Sequence, residues 1–234
     1  MKEIKLSKIF VYFLKKRNPN FKINTNIGSF FLIEFIKNNL IGFLRFLFLK
    51  IRLKINVKGI VIIKSGIKIY GPKINLGNYT IIEENVRFQS ILRDSIYIGQ
   101  SCRIGFCSDI QSGLQFSDPS GIIKICDNVA IGAYSHIGGA GNVTIGSNSI
   151  IGPYFSVHSE NHSFSQNKIL YRLQDVSRKS IIIGENCWIG AKVTMLDGVK
   201  IGNNCVIAAG SVVTKSFSNN NLLAGVPAKV LKKL

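Results

Sequence analysis

Residues 181–213 read IIIGENCWIGAKVTMLDGVKIGNNCVIAAGSVV, and an aliphatic residue returns at every sixth position: Ile183, Ile189, Met195, Ile201, Ile207 and Val213. Glycine follows three of these directly, at Gly184, Gly190 and Gly202. A small or aliphatic side chain recurs four positions on, at Cys187, Val193, Val199, Cys205 and Ser211. An amphipathic helix repeats at about 3.6 residues and a half-buried strand at about two, so a period of six fits neither. It fits a parallel β-helix in which each hexapeptide is one short strand and one corner. The aliphatic residue then points inward and stacks on its equivalent one coil further on. The glycine turns the corner, where a positive φ costs least without a Cβ.

The same phase extends toward the N-terminus through Leu76, Ile82 and Phe88, then Ile98, Ile104 and Ile110, then Ile125, Ile131 and Ile137, then Ile145, Ile151 and Val157. A vaguer block stands at Val57, Ile63 and Ile69. Cys187 and Cys205 are one 18-residue coil apart, which makes them stacked core residues, and Cys102 shares their phase while Cys107 and Cys126 do not. The phase slips are loops. Phe88 to Ile98 is ten residues, Ile110 to Ile125 fifteen, Ile137 to Ile145 eight and Val157 to Ile183 twenty-six. The longest encloses His158 and His162, and loops on a rigid scaffold are where chemistry is usually placed.

The N-terminal text is different. Residues 1–70 hold 15 Lys/Arg against Glu3 and Glu34, a balance of +13 out of +18 for the 234-residue chain. No nucleic-acid motif accompanies this charge, so an anionic membrane surface is the better-supported partner. Phe30 to Leu53 is dense in Phe, Leu and Ile, with Glu34, Asn38, Arg45 and Arg52 near one stripe. Such a pattern serves either a helix packed on the solenoid or a partner, or one lying in a membrane interface. Three regions are expected: an N-terminal helical segment over 1–56, the β-helix over 57–216 with a catalytic loop at 158–182, and a tail over 217–234. In the tail, Pro227 is placed to open a last helix from Ala228 to Leu234.

Composition narrows the classes. With 46% hydrophobic and 18% charged residues the chain is not a disordered one. Five cysteines without a CxxC pair argue against a disulfide scaffold or a structural zinc module. No apolar run reaches the roughly 18 residues that span a bilayer. The opening Met1-Lys2-Glu3-Ile4-Lys5 leads into no secretory signal, which predicts a cytoplasmic protein, peripheral on the inner membrane face if the first segment binds lipid.

Four stretches carry a resemblance. They are Ile151-Gly152-Pro153 followed by Asn161-His162-Ser163-Phe164, then Ile183 to Ala191, then Ala208 to Lys215, then Ala224-Gly225-Val226-Pro227-Ala228-Lys229-Val230. In this order they resemble the left-handed β-helix, hexapeptide-repeat acyltransferases, over about residues 57–234. The subgroup resembled is the sugar O-acetyltransferases related to galactoside and maltose acetyltransferases and to enzymes that decorate capsule and lipopolysaccharide glycans. The resemblance implies acetyl-CoA as donor, a glycan acceptor, no metal, and a homotrimer with active sites between subunits. By position, His162 matches the family's catalytic histidine and Trp188 the tryptophan beside the site. Ala191, Ala209 and Thr214 match contacts to the pantetheine arm, and Lys229 and Lys232 match basic residues near the CoA phosphates. Ser163 departs from the proline or glycine that often follows the histidine.

The residue chemistry agrees. A sugar hydroxyl is too weak an acid to attack a thioester at neutral pH, and a neutral imidazole taking its proton contributes roughly 10²–10⁴-fold in rate. A backbone N–H at a glycine-rich corner would then stabilise the oxyanion. His158 and Glu160 are read as acceptor-binding or loop-orienting, and Glu160 or Asp175 as groups that set the His162 tautomer. His136 is expected on a corner, facing solvent or a subunit contact. Three other readings stay open: an N-acetyltransferase acting on a nucleotide-linked amino sugar, a zinc hydratase similar to γ-class carbonic anhydrase using His136, His158 and His162, and a non-catalytic scaffold.

Overall fold

The computed structural model describes residues 15–16, 20, 29–53, 56–57, 59–71, 74–92, 95–113, 120–166 and 168–234. Much of the basic N-terminal segment, and the side chain of Arg52, lie outside them.

Short parallel strands wind through three sheets in turn. The first face holds seven strands from Asn56–Val57 to Lys200–Ile201, the second runs from Ile62–Ile63 to Val206–Ile207 and onward, and the third holds seven from Lys68–Tyr70 to Val212–Val213. The architecture is the left-handed parallel β-helix. Register stacks the inward phase on itself: Leu76, Ile98, Ile125, Ile145, Ile183 and Ile201 are successive partners along the first face. Ile110, Ile137, Val157, Met195 and Val213 do the same along the third. These side chains are all buried, with Cys102, Cys187 and Cys205 among them and Cys107 and Cys126 only partly covered. Burial pushes the Cys187 thiol up, as expected of a core residue.

The corners differ from the expectation. Gly184, Gly190 and Gly202 do not adopt positive φ; the left-handed residue stands two positions later, at Asn186, Lys192 and Asn204. Asparagine tolerates that conformation, and its amide is used again. Asn186 Nδ2 donates to Asn204 Oδ1 at 2.9 Å, and Asn204 Nδ2 to Asn220 Oδ1 at 3.1 Å. The glycines serve close approach instead. A Cβ on Gly190 would lie 2.5 Å from the Ala209 nitrogen, one coil on.

The C-terminal helix expected from Pro227 does not form. Asn221–Gly225 and Ala228–Lys233 are an antiparallel hairpin that extends the second face to nine strands. Leu222 and Leu223 pair with Val206 and Ile207, satisfying strand-edge groups that a helix would leave open. Gly225 at φ +105° and Pro227, after a cis peptide bond, form the turn, and Leu223 and Ala228 bury against the core.

Helix α1 (Ser29–Leu53) lies against the first coils. Among the described side chains a narrow stripe packs, through Asn39, Gly42, Phe43, Phe46 and Leu49. Gly42 permits this approach, because a Cβ there would lie 2.8 Å from Ile62 Cγ2. Arg45 turns inward too, donating to the Ile63 carbonyl at 3.2 Å. The exposed side carries Phe30, Phe31, Leu40, Leu44, Leu47, Phe48 and Ile51. Among the described residues, no helix is long and apolar enough to cross a membrane.

Candidate active site

All four phase slips leave the solenoid at one edge, where the third face passes to the first. The longest begins after Ser156–His158. Buried Ser159 pins its root, donating to the Gly138 carbonyl at 2.7 Å and accepting from the Gly141 N–H at 2.8 Å. Glu160–His162 then pairs antiparallel with Val176–Arg178. The buried Gln174 amide braces the far end, bonding the Gln166 carbonyl at 3.1 Å and the Ile169 carbonyl at 2.8 Å. The sequence reading placed a catalytic loop here; its root and return are a β-hairpin.

Strand alternation sets Glu160 and His162 on one side of this hairpin. The Glu160 carboxylate is 3.4 Å from Arg178 Nε, and Asp175 offers its carbonyl to the Ser163 N–H at 2.8 Å. The His162 side chain is exposed, and among the described residues its ring has no hydrogen-bond partner in the chain. Neither acid is paired with it by a hydrogen bond or ion pair.

The neighbouring part of the third face holds a polar network. Arg87 grips Asp109 with two hydrogen bonds, Nε to Oδ1 at 2.8 Å and Nη2 to Oδ2 at 2.5 Å, and Gln111 Nε2 donates to the same Oδ2. Nδ1 of His136 is 3.5 Å from that oxygen. Burial pushes the Asp109 carboxyl up, but hydrogen bonds from His136, Arg87 and Gln111, with the guanidinium charge, hold it well below the usual carboxylate range. Burial lowers His158, and the adjoining His136 lowers it further. The two rings lie 5.5 Å apart, on the walls of a cleft of about 140 Å³ that also includes Gln111, Gly138 and Glu160. His136 is thus on a strand rather than a corner. A larger groove of about 550 Å³ on the first face, beside Tyr97 and Lys124, contains no candidate residue.

The remaining candidates lie elsewhere. Trp188, Val206, Leu222 and Lys232 are successive partners across the second face. Trp188 is 61% exposed, so this row presents an open indole and, three strand spacings or about 14 Å away, an ammonium group. Lys229 pairs with Ala224 in the same hairpin and is exposed. Ala191 and Ala209 stack at the corner between the second and third faces, where the Gly210 N–H donates to the Ala191 carbonyl at 2.8 Å. Thr214 follows Val212–Val213 at the edge of the third face. The chain therefore brings His158, Glu160, His136 and Asp109 together, while Trp188, Lys229 and Lys232 share a different face. Asp109, Arg87 and Gln111 were not singled out by sequence reasoning. Among the described residues, no group of three or more His, Cys, Asp and Glu side chains is placed to hold a metal ion.

Residues 180–215 match the family described as the hexapeptide repeat of succinyl-transferase. A protein of Escherichia coli K12, provisionally named a lipopolysaccharide biosynthesis O-acetyl transferase, is 33% identical over 153 residues, 61% of this chain and 78% of its own. The galactoside O-acetyltransferase of the same organism is 40% identical over 96 residues, 39% of this chain and 44% of its own. Among solved structures, the polysialic-acid-specific acetyltransferase NeuO superposes with a TM-score of 0.55 at 20% identity, covering 76% of this chain and 77% of that one. An N-acyltransferase from Bacillus cereus, in complex with dTDP and coenzyme A, gives 0.54 at 19% identity, over 81% and 88%. At such identities the structures speak for the fold; it is the sequence relatives that fix the family. The chain is a member of the hexapeptide-repeat acetyltransferases.

Proposed function

We propose that the protein is an acetyl-CoA-dependent O-acetyltransferase that modifies a sugar hydroxyl of a bacterial surface polysaccharide, such as capsule or lipopolysaccharide O-antigen, or of its precursor. The observation that carries this reading is the 33% identity to the Escherichia coli protein over 78% of its length. In this scheme His162 takes the hydroxyl proton as the oxygen attacks the thioester carbonyl, and returns it to the departing CoA sulfur. A backbone N–H at the Ala191 and Ala209 corner is the candidate oxyanion donor. Trp188, Ala191, Ala209 and Thr214 would line the pantetheine arm, and Lys229 and Lys232 would meet the phosphates. The spread of these residues over two faces supports a homotrimer, in which His162 of one subunit meets the cofactor surface of the next. His158 and Glu160 would serve acceptor binding.

The N-terminal region is assigned a separate role. The apolar outer side of α1, beside twelve Lys/Arg against two acids in residues 1–56, suits peripheral contact with an anionic inner membrane surface. A lipid-linked precursor would be met there.

The test is transfer from labelled acetyl-CoA to a panel of simple glycosides, lipid-linked oligosaccharides, polysaccharides and a nucleotide-linked amino sugar, with mass spectrometry of products. Ester formation on a glycan hydroxyl is expected, with kcat lowered about 10²-fold or more by His162→Ala and CoA binding retained. Transfer to the amino sugar alone would replace this reading by N-acylation, and no transfer with either would leave a scaffold. Sedimentation showing an active monomer would remove the shared-site arrangement.

A further inference from the structure

Four polar side chains share one row of the third face although no constant spacing links them. Arg87, Asp109, His136 and Ser156 are successive register partners, each standing just before an inward residue. Asp109 is held by Arg87 through both oxygens and by Gln111 through one. An ionised carboxylate only accepts hydrogen bonds, so the His136 nitrogen that faces it, Nδ1, carries the proton. In the neutral ring Nε2 is then bare.

The surroundings of Nε2 are specific. Gly138 is in an extended strand without positive φ, so its backbone does not require glycine. A Cβ there would lie 3.2 Å from His136 Nε2 and 3.1 Å from the Val157 carbonyl oxygen. Its absence leaves the imidazole room at the cleft. The His158 ring packs at 5.5 Å, tilted by 36°, and its Nε2 is 2.7 Å from Ser156 Oγ, which belongs to the same row. A ladder that only joined strands would be complete at the Arg87–Asp109 pair. It would need neither the glycine nor the paired rings.

We propose that Asp109 and His136 form a positioning dyad for His158, with Asp109 setting which nitrogen of His136 carries the proton and His136 setting the orientation and charge of His158 in the cleft. The function is to present uncharged imidazole to a polyol, so that hydroxyl groups of the sugar are ordered beside the His162 hairpin. The charged and titratable groups facing the pair are Asp109, Arg87, Tyr70 beyond Arg87, and Glu160 from the hairpin. Burial is the larger cause of the downward displacement of His158, and the adjoining His136, when charged, adds to it. This inference rests on the acetyl-transfer reading for its use, though not for its geometry.

The chain has three histidines, so full-length protein labelled with ¹³C-histidine gives three titrating signals, assignable by substitution. In His136→Gln the His158 titration is expected to move up, while the part of the displacement that burial causes remains. KM for the acceptor should rise about 5-fold, the scale of one hydrogen bond, with kcat changed less and CoA binding unaltered. Gly138→Ala should raise the acceptor KM in the same direction by crowding the ring. An unmoved His158 titration in His136→Gln, or an unchanged acceptor KM in both variants, overturns the dyad. The titration requires no turnover, so a failure to find any acetylated acceptor would defeat the proposed function while this measurement still decides the dyad.

Discussion

Replacing Ile137 by alanine tests the inward phase at the coil that carries the cleft. Ile137 is completely buried and stacks between Ile110 and Val157. The substitution removes three carbons, worth about 2.4 kcal/mol of transfer free energy at roughly 0.8 per carbon. A cavity term adds to this when the surroundings cannot collapse. Here they cannot move far: the His136 N–H donates to the Phe155 carbonyl at 2.8 Å, and the Ser135 carbonyl accepts from the Asp109 N–H at 2.8 Å, so the strand is tied on both sides. The expected cost is therefore about 4 kcal/mol, in the upper half of the range for such truncations. The matched control is Ile122→Ala, which deletes the same atoms from a side chain 49% exposed and should cost about 1 kcal/mol. Urea unfolding followed by far-ultraviolet circular dichroism reads the difference as a midpoint shift at unchanged slope. Equal costs within about 1 kcal/mol, beyond the usual extrapolation error, would refute the inward assignment of this coil.

Three other outcomes are expected. Asp109 is ionised more readily in the folded chain than in the unfolded one, so its contribution, about 1 kcal/mol after solvent screening, is present above the ordinary carboxylate pKa and lost as pH falls through the lowered one. The stability gap between wild type and Asp109→Asn should accordingly be constant near neutrality and close below about pH 4 in acid unfolding; a gap that widens in acid would contradict the pairing. Leu44→Glu and Phe48→Glu, both on the outer side of α1, should abolish flotation with anionic vesicles and leave acetyl transfer to a soluble acceptor intact, whereas retained flotation would mean that this side meets protein. Lys229→Ala and Lys232→Ala should each weaken CoA about 5-fold, in line with one charge-assisted contact, and weaken dephospho-CoA less; equal losses for both ligands would place the lysines away from the 3′-phosphate.

The β-helix was readable because its core is written at one position in six, and a buried stack tolerates only aliphatic or small residues there. Corners were harder. Glycine after Ile183 suggested a positive φ, but the neighbouring coil, not the backbone angle, excludes a side chain at Gly184, and the left-handed position belongs to Asn186. Pro227 fitted a helix start by local preference, and the unpaired edge at Val206–Ile207 decided for a strand instead. The Asp109 and His136 pairing was hidden by loop length: Arg87, Asp109, His136 and Ser156 are separated by 22, 27 and 20 residues. It was nevertheless present in the phase, since each precedes the inward residue of the third face. The stripe of α1 that packs was not legible, because Arg45 and Asn39 turn toward the solenoid with Phe43 and Phe46, while Phe30, Phe31 and Phe48 turn away.

The confinement of every insertion to one edge has a consequence for how such a chain diversifies. A segment added between the third and first faces changes neither the pairing of the other strands nor the corner where Ala191 and Ala209 stack. On the proposed reading, acceptor recognition by the hairpin loop and donor recognition at that corner can therefore vary as independent cassettes on a common spindle. Exchange of residues 160–178 between relatives, cut at the two strands of the hairpin, is the graft that this arrangement permits: its ends already lie hydrogen-bonded side by side, from Glu160 to Arg178, so a foreign loop closes on a clasp that the host provides.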